Sequence, residues 1–271
     1  MHQICTHKFF NYSRITIFNM ALSLGSKSIS ESYKIMDAFE YMRSFKTGTI
    51  RGVITSPPYN KQFRRRGGKC SNWANSKLMA DNYAQYNDDM KPEQYVAWQR
   101  QFLTEALRLV GDEGVILYNI GRHIKNLKED RRQSIIEGFP VRQTIIWNRK
   151  SSNNQGGKRP SIFPPTYELI YVIAGKDWRL PQRYIKEMRY WGDVWSIPFE
   201  TRNPHPAPFP VALAERMVKT ADGPVMDPFA GSGTVGVAAH RLGYAYHLCD
   251  ISPEYKDLFF QRMEDEQCVL P

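Results

Sequence analysis

The sequence predicts an α/β fold on a doubly wound, mostly parallel sheet, and three observations predict it. Short apolar strands alternate with amphipathic helices along most of the chain. Between Val225 and Leu242 a strand runs into a glycine turn and then a helix, and 271 residues are enough to bury one sizeable core. Residues 1 to about 25 read as an extension outside the main fold, and residues 26–271 as a single domain.

In order, Ser30 to Phe45 carries Ile35, Phe39 and Met42 at spacings of four and three, with Asp37 and Glu40 opposite, and predicts a short helix that Gly48 stops. Ile50 to Thr55 is a short strand. It delivers the stretch Thr55-Ser56-Pro57-Pro58-Tyr59-Asn60. Pro58 fixes its own φ and holds Pro57 extended, so the ladder cannot simply continue and a stiff shelf is left at the strand end. Ser56 supplies a hydroxyl and Tyr59 a flat face, which suits a planar, hydrogen-bonding guest; a plain Pro-Pro turn is the simpler reading.

Lys61-Gln62-Phe63-Arg64-Arg65-Arg66-Gly67-Gly68-Lys69 follows, with five positive charges, no acid and two glycines. Such a segment repels itself until an anion neutralises it, and its place after the shelf favours phosphate contact over a solvated loop. Trp73, Tyr83 and Tyr86 come next and can stack or close a lid. Lys91-Pro92 opens a strongly amphipathic helix with Tyr95, Trp98, Phe102, Leu103, Ala106 and Leu109 on one face. After the turn Gly111 to Gly114, Val115 to Ile120 is a buried strand, and Gln143 to Trp147 and Tyr167 to Ala174 are two more.

The polar stretch Asn148 to Pro165, with Arg149, Lys150, Lys158 and Arg159, is too polar for core and too stiffened by its prolines for a simple linker; an ordinary surface loop is one reading, and a phosphate contact by these four residues is what the family resemblance given below implies. Lys176 to Tyr190 is basic and aromatic without a clear period. Asp193 to Pro198 and His205 to Pro210 lead into a helix over Val211 to Thr220. The strand at Val225 then carries Asp227-Pro228-Phe229-Ala230-Gly231-Ser232-Gly233-Thr234, the helix Val235 to Leu242 follows, and Tyr244 to Cys249 is the next strand, with Asp250 at its end.

The formal charge of +10 and pI near 9.4 point to a partner of dense negative charge, nucleic acid first, although a basic surface can also be merely solubilising. Cys5, Cys70, Cys249 and Cys268 show no paired spacing, so neither a disulfide framework nor a metal site is expected. No run has the apolar length to span a bilayer, and the segment from His2 to Phe18 lacks a clean apolar stretch, so a cytoplasmic, nucleoid-associated protein is expected. Whether Met1 or Met20 is the start stays open.

The shelf and the glycine turn together resemble the beta-class amino-group DNA methyltransferases, in which a (D/N/S)-P-P-(Y/F) shelf holds the target base and a D-P-F-x-G-x-G turn holds S-adenosylmethionine. The shelf comes first and the turn last, as in that class, and the likeness runs from roughly residue 30 to 263. It implies a seven-stranded, Rossmann-like methyltransferase sheet with a small recognition insertion. DNA contacts are then shared between residues 61–90 and 148–190. Phe209 stands where that family often has a basic residue, which puts a charge contact to the cofactor there in doubt.

Gly231-Ser232-Gly233-Thr234-Val235-Gly236 also satisfies the dinucleotide fingerprint, with Asp250 at about the spacing of the ribose acid. A dinucleotide fold needs a second mononucleotide half, and only 35 residues follow Gly236. A carboxylate before the glycines suits S-adenosylmethionine, which carries an ammonium and a sulfonium and no phosphate. Asp227 is expected on the methionine amino group, Gly231 and Gly233 at the close backbone approach, Phe229 beside the methionyl part, Pro228 and Thr234 in the same turn, and Asp250 on the ribose.

The resemblance implies that Ser56 Oγ and the Pro57 carbonyl accept from the exocyclic amino group while Tyr59 stacks on a flipped-out base. The serine in Thr55-Ser56-Pro57-Pro58-Tyr59 leans the reading to cytosine N4 over adenine N6. Double-stranded DNA is the expected partner, in restriction–modification or in phage or host protection, with a cognate endonuclease possible and the oligomeric state open. The reading of a different class is a basic nucleic-acid-binding module without turnover, which labelled methyl transfer would separate; methylation of RNA or protein is the other enzymatic alternative.

Overall fold

The computed structural model describes residues 32–60, 90–121, 123–125, 128–130, 132–150, 163, 165–200 and 210–269. The chain divides into two units, Met1–Ser32 and Tyr33–Pro271, and all of the secondary structure described belongs to the second. In order it is β1 (Tyr33–Ile35), α1 (Ala38–Arg43), β2 (Gly52–Thr55), α2 (Pro92–Val110), β3 (Val115–Ile120), β4 (His123–Lys125), β5 (Lys128–Asp130) and α3 (Gln133–Ile136). Then come β6 (Val141–Asn148), β7 (Tyr167–Ala174), a 3-10 turn at Gln182–Tyr184, α4 (Ile185–Trp191), β8 (Val194–Ser196), α5 (Val211–Ala221), β9 (Val225–Asp227), α6 (Thr234–Arg241), β10 (Tyr246–Asp250) and α7 (Pro253–Val269).

Eight strands form one sheet in the order β1-β10-β9-β2-β3-β7-β6-β8, while β4 and β5 pair separately. Seven had been expected. The two outermost strands, β1 and β8, have three residues each, too few for a period of two to register in a sequence. β1 also occupies part of the stretch expected to be helical from Ser30. The helix begins only at Ala38 because the Asp37 carboxylate accepts from the backbone N–H groups of Phe39 and Glu40 and so fixes the cap.

The sheet is mostly parallel, but β7 runs antiparallel to both β3 and β6. The chain leaves β6 and re-enters β7 at the same edge of the sheet, so the two can pair only in opposite directions. Helices cover both faces. Val53 joins the core that α2 closes with Phe102, Leu103, Ala106 and Leu109, whereas a Cβ on its neighbour Gly52 would lie 2.4 Å from the Ala221 Cβ of α5. Since successive strand residues point to opposite faces, α2 and α5 lie on opposite sides. Gly236 repeats the arrangement: a Cβ there would meet Leu248 at 2.6 Å and Phe259 at 2.9 Å, so α6 and α7 seat closely only with glycine at that place.

Candidate active site

The chain moves outward in opposite directions from the neighbouring strands β2 and β9: β2 leads on to β3, and β9 to β10. A doubly wound sheet opens a crevice at such a switch point, beyond the carboxyl ends of its strands. Thr55 ends β2 and begins the shelf, and Asp227 ends β9 and begins the glycine turn. The Thr55 hydroxyl donates to Asp227 Oδ1 at 2.7 Å, with Thr55 0% and Asp227 2% exposed. Two stretches from opposite ends of the sequence thus share one floor.

The shelf is pinned from beneath. Tyr95 of α2 donates its hydroxyl to the Pro58 carbonyl at 2.8 Å, and Gln99 Nε2 donates both to that carbonyl at 3.3 Å and to the Tyr95 oxygen at 2.9 Å. The Tyr118 hydroxyl completes the set by donating to Gln99 Oε1 at 2.9 Å. Arg132 donates to the Tyr59 carbonyl at 3.2 Å, and Asn60, at φ 52°, exchanges two 2.9 Å bonds with the backbone of Met90. With neither helix nor sheet to hold it, the Pro-Pro segment takes its rigidity from this buried polar group.

Above it, Ser56 Oγ lies 2.8 Å from the Tyr59 hydroxyl, which donates to Glu168 Oε2 at 3.2 Å. Asn119, at the end of β3, donates Nδ2 to Glu168 at 2.9 Å and reaches the Tyr59 oxygen at 3.2 Å and Ser56 Oγ at 3.4 Å. Glu168 stands at the start of β7, which the antiparallel pairing brings to the carboxyl ends of its neighbours. Burial and the Glu168 charge push the Tyr59 phenol well above its ordinary range. The Tyr59 ring rests on Gly121, where a Cβ would come within 2.9 Å of it.

On the cofactor side Gly231 and Gly233 take positive φ angles of 50° and 74°, which the tight turn requires. Asp227 also accepts from Phe229 N at 3.1 Å, and burial raises its carboxyl to about 7 despite both hydrogen bonds. Asp250 accepts from Gly231 N at 2.9 Å and Ser252 N at 3.1 Å, and burial raises it as well. Among the described residues, neither carboxylate is in an ion pair. The Phe229 ring packs between Trp98 and Phe102, at 5.6 and 5.2 Å, and the Pro228 carbonyl accepts from the buried Cys249 thiol at 3.4 Å. Thr234 is buried with its hydroxyl turned to Arg262 of α7, which donates to Thr234 Oγ1 at 2.9 Å and to Ser232 O and Oγ at 2.9 and 3.1 Å. Tyr33 of β1 donates to the Gly231 carbonyl at 2.7 Å.

Ser56, Pro57, Pro58 and Tyr59 are therefore brought to the same crevice as Asp227, Pro228, Phe229, Gly231, Gly233, Thr234 and Asp250. Arg149, expected on a phosphate, is turned inward: it meets Glu168 Oε1 at 3.2 Å and donates to the Pro165 carbonyl at 2.7 Å. Lys150 is exposed at the rim of β6. Lys61, Arg64, Arg65, Arg66, Lys69, Lys158 and Arg159 lie outside the described residues, as do Trp73, Tyr83, Tyr86 and Phe209. Among the described residues no group of three or more His, Cys, Asp or Glu is gathered for a metal, and no helix is long and apolar enough to cross a membrane.

Sequence reasoning missed Asn119, Glu168, Tyr33, Arg262, Tyr95 and Gln99 as site residues. Asn119 and Glu168 carried a signal, each being a polar side chain within an apolar strand. Tyr33 and Arg262 carried none.

The model of a DNA methylase family matches residues 50–261. The type II methyltransferase M.BglII of Bacillus subtilis is 23% identical over 267 residues, covering 85% of this chain and 68% of that protein. M.HpaI of Haemophilus parainfluenzae is 23% identical over 253 residues, covering 85% and 73%. Among solved structures, the cytosine-N4-specific PvuII DNA methyltransferase superposes with a TM-score of 0.65 at 18% identity, over 82% of each chain. A putative DNA modification methylase of Thermus thermophilus, solved with S-adenosyl-L-methionine, gives 0.61 at 24% identity, over 87% of this chain and 94% of that one.

Proposed function

We propose, for a chain that belongs to the DNA methylase family, that it methylates the exocyclic N4 of a flipped-out cytosine within a short duplex sequence, as the modification partner of a restriction system. Membership makes it an amino-group DNA methyltransferase that uses S-adenosylmethionine. The observation that carries the reading is the hydrogen bond from Thr55 to Asp227, which puts the base shelf and the glycine turn at adjoining strand ends.

The crevice fits the cofactor. Its two carboxylates, Asp227 and Asp250, face no paired cation among the described residues, which favours a guest bearing an ammonium and ribose hydroxyls over a pyrophosphate. Asp227 would hold the amino group and Asp250 the ribose, with Gly231 and Gly233 allowing the backbone to approach. When bound, S-adenosylmethionine supplies an electrophilic methyl group on a sulfonium.

The chain's own part is positioning. An exocyclic amino group is a poor nucleophile because its lone pair is delocalised into the ring. Ser56 Oγ and the Pro57 carbonyl accept hydrogen bonds from its two N–H groups and favour a pyramidal nitrogen, while the pinned Pro58 carbonyl keeps both acceptors from drifting. Tyr59 offers its ring to the base. A target inside a stacked duplex is out of reach, so it must be flipped out, and the basic stretches 61–69 and 150–159 are proposed to hold the backbone while that happens.

Ser56 in the shelf, where Asp or Asn would favour adenine, supports cytosine. Incubation of duplex DNA with labelled S-adenosylmethionine, followed by digestion to nucleosides and mass spectrometry, tests the proposal. N4-methyldeoxycytidine is expected. N6-methyldeoxyadenosine would move the target to adenine, and label only in RNA or protein would overturn the function.

A further inference from the structure

We propose that Glu168 takes up the proton that the target amino group must lose, through a relay of the Ser56 and Tyr59 hydroxyls. The inference rests on the function proposed above. Methylating an amino group leaves one proton too many on nitrogen, and positioning alone does not say where it goes.

The direction of the relay follows from donor and acceptor identities. Glu168 is a carboxylate and only accepts; Asn119 Nδ2 is an amide N–H and only donates. Tyr59 has one proton and directs it to Glu168 Oε2 at 3.2 Å. The 2.8 Å contact between Ser56 Oγ and Tyr59 must then carry the serine proton toward tyrosine. Asn119 donates to the serine oxygen at 3.4 Å, and the remaining lone pair of Ser56 is the one that can accept from a guest. Arg149, with a side chain 12% exposed, sets its guanidinium 3.2 Å from the other Glu168 oxygen and so fixes where the carboxylate sits. The tyrosine passes a proton without becoming a phenolate at rest, since burial and Glu168 both oppose its ionisation.

The balance is complete. The nitrogen lone pair forms the N–CH3 bond as the C–S bond breaks, and its electron pair neutralises the sulfonium to a thioether. The cationic nitrogen gives one proton to Ser56 Oγ, Ser56 gives its own to Tyr59, and Tyr59 gives its own to Glu168. The carboxylate ends as an acid beside a neutral methylamino group. The Glu168 side chain is 16% exposed, so the proton can then leave to water.

The test compares Glu168→Gln, Glu168→Asp and Tyr59→Phe with the wild type in single-turnover transfer to duplex DNA, alongside calorimetric titration with S-adenosylmethionine. General-base work of this kind contributes about 10²-fold or more. Glu168→Gln is therefore expected to slow transfer by about 10²-fold with cofactor affinity within about twofold of wild type, and Glu168→Asp, which keeps the charge, to recover about tenfold over it. Tyr59→Phe leaves the Glu168 contacts to Arg149 and Asn119 in place, so it carries the same test should Glu168→Gln fail to fold. Transfer by Glu168→Gln within about threefold of wild type, or equal rates for the Gln and Asp variants, overturns the relay. A wild-type protein that methylates no DNA removes the function and the relay together, whereas an active wild type with an equally active Glu168→Gln removes the relay alone.

Discussion

Thr55 and Asp227, 172 residues apart in the chain, share a 2.7 Å hydrogen bond in the floor of the crevice. This bond moderates the pH behaviour of the cofactor side, which burial dominates. The Asp227 carboxyl is raised from 3.8 to about 7, chiefly by burial, and the Thr55 bond opposes that rise. A carboxyl whose folded value lies above its unfolded value favours the fold most below the unfolded value. That contribution is lost as pH rises from about 4 to about 7 and stays level above.

An ammonium guest binds the ionised form. Affinity for S-adenosylmethionine should tighten by about fivefold to tenfold between pH 6 and 7.5, by calorimetry, and Asp227→Asn should bind weakly with no such slope. Thr55→Val should move the midpoint upward and destabilise the fold by about 1–3 kcal/mol, because the carboxylate keeps its burial and loses a donor. An unchanged midpoint in that variant would show that Asp227 is set by something else.

Ser56 faces the shelf side and Asp227 the turn side, so their substitutions should separate. Ser56→Ala should lower single-turnover transfer by about 10²-fold with cofactor affinity nearly unchanged, whereas Asp227→Ala should lose affinity first. Equal losses in both parameters for both variants would contradict the division of roles.

Arg262 reaches from α7 to hold Ser232 and Thr234 with three hydrogen bonds of 2.9 to 3.1 Å. Arg262→Met keeps much of the bulk and removes the donors. It should destabilise the protein by about 2 kcal/mol and weaken cofactor binding, read as a lower melting temperature and a smaller upward shift on adding S-adenosylmethionine. A full ligand-induced shift would mean that the turn keeps its shape without the guanidinium.

Gln99 bridges Tyr118, Tyr95 and the Pro58 carbonyl in a fully buried position. Gln99→Leu strands the Tyr118 hydroxyl and loosens the shelf, and should cost about 1–3 kcal/mol with a fall in transfer rate but not in cofactor affinity. Denaturant unfolding and the two kinetic readouts together check it.

Much of the fold was legible because local chemistry dictates it. The boundaries of β3 and β7 matched their apolar runs, and Pro92 marked the start of α2. The three-residue strands β1 and β8 were illegible because pairing with a neighbour, and no local preference, makes them strands. α4 lay in a stretch with no readable period, and α7 anchors itself through Tyr255, Phe259 and Met263, a buried spacing of four that the reading passed over.

By itself the sequence determined the two motifs and their chemistry: proline stiffness and glycine freedom act within a few residues, so a shelf with a hydroxyl and a turn with a carboxylate can be read from the letters. Only the tertiary structure decided their company. Glu168 meets Tyr59 across 109 residues and Tyr33 meets Gly231 across 198, contacts that exist because strand order and register bring those ends to one edge. It also turned Arg149 from an expected phosphate ligand into the partner of a partly buried carboxylate, since a guanidinium beside Glu168 at low exposure is held by that charge more firmly than by water.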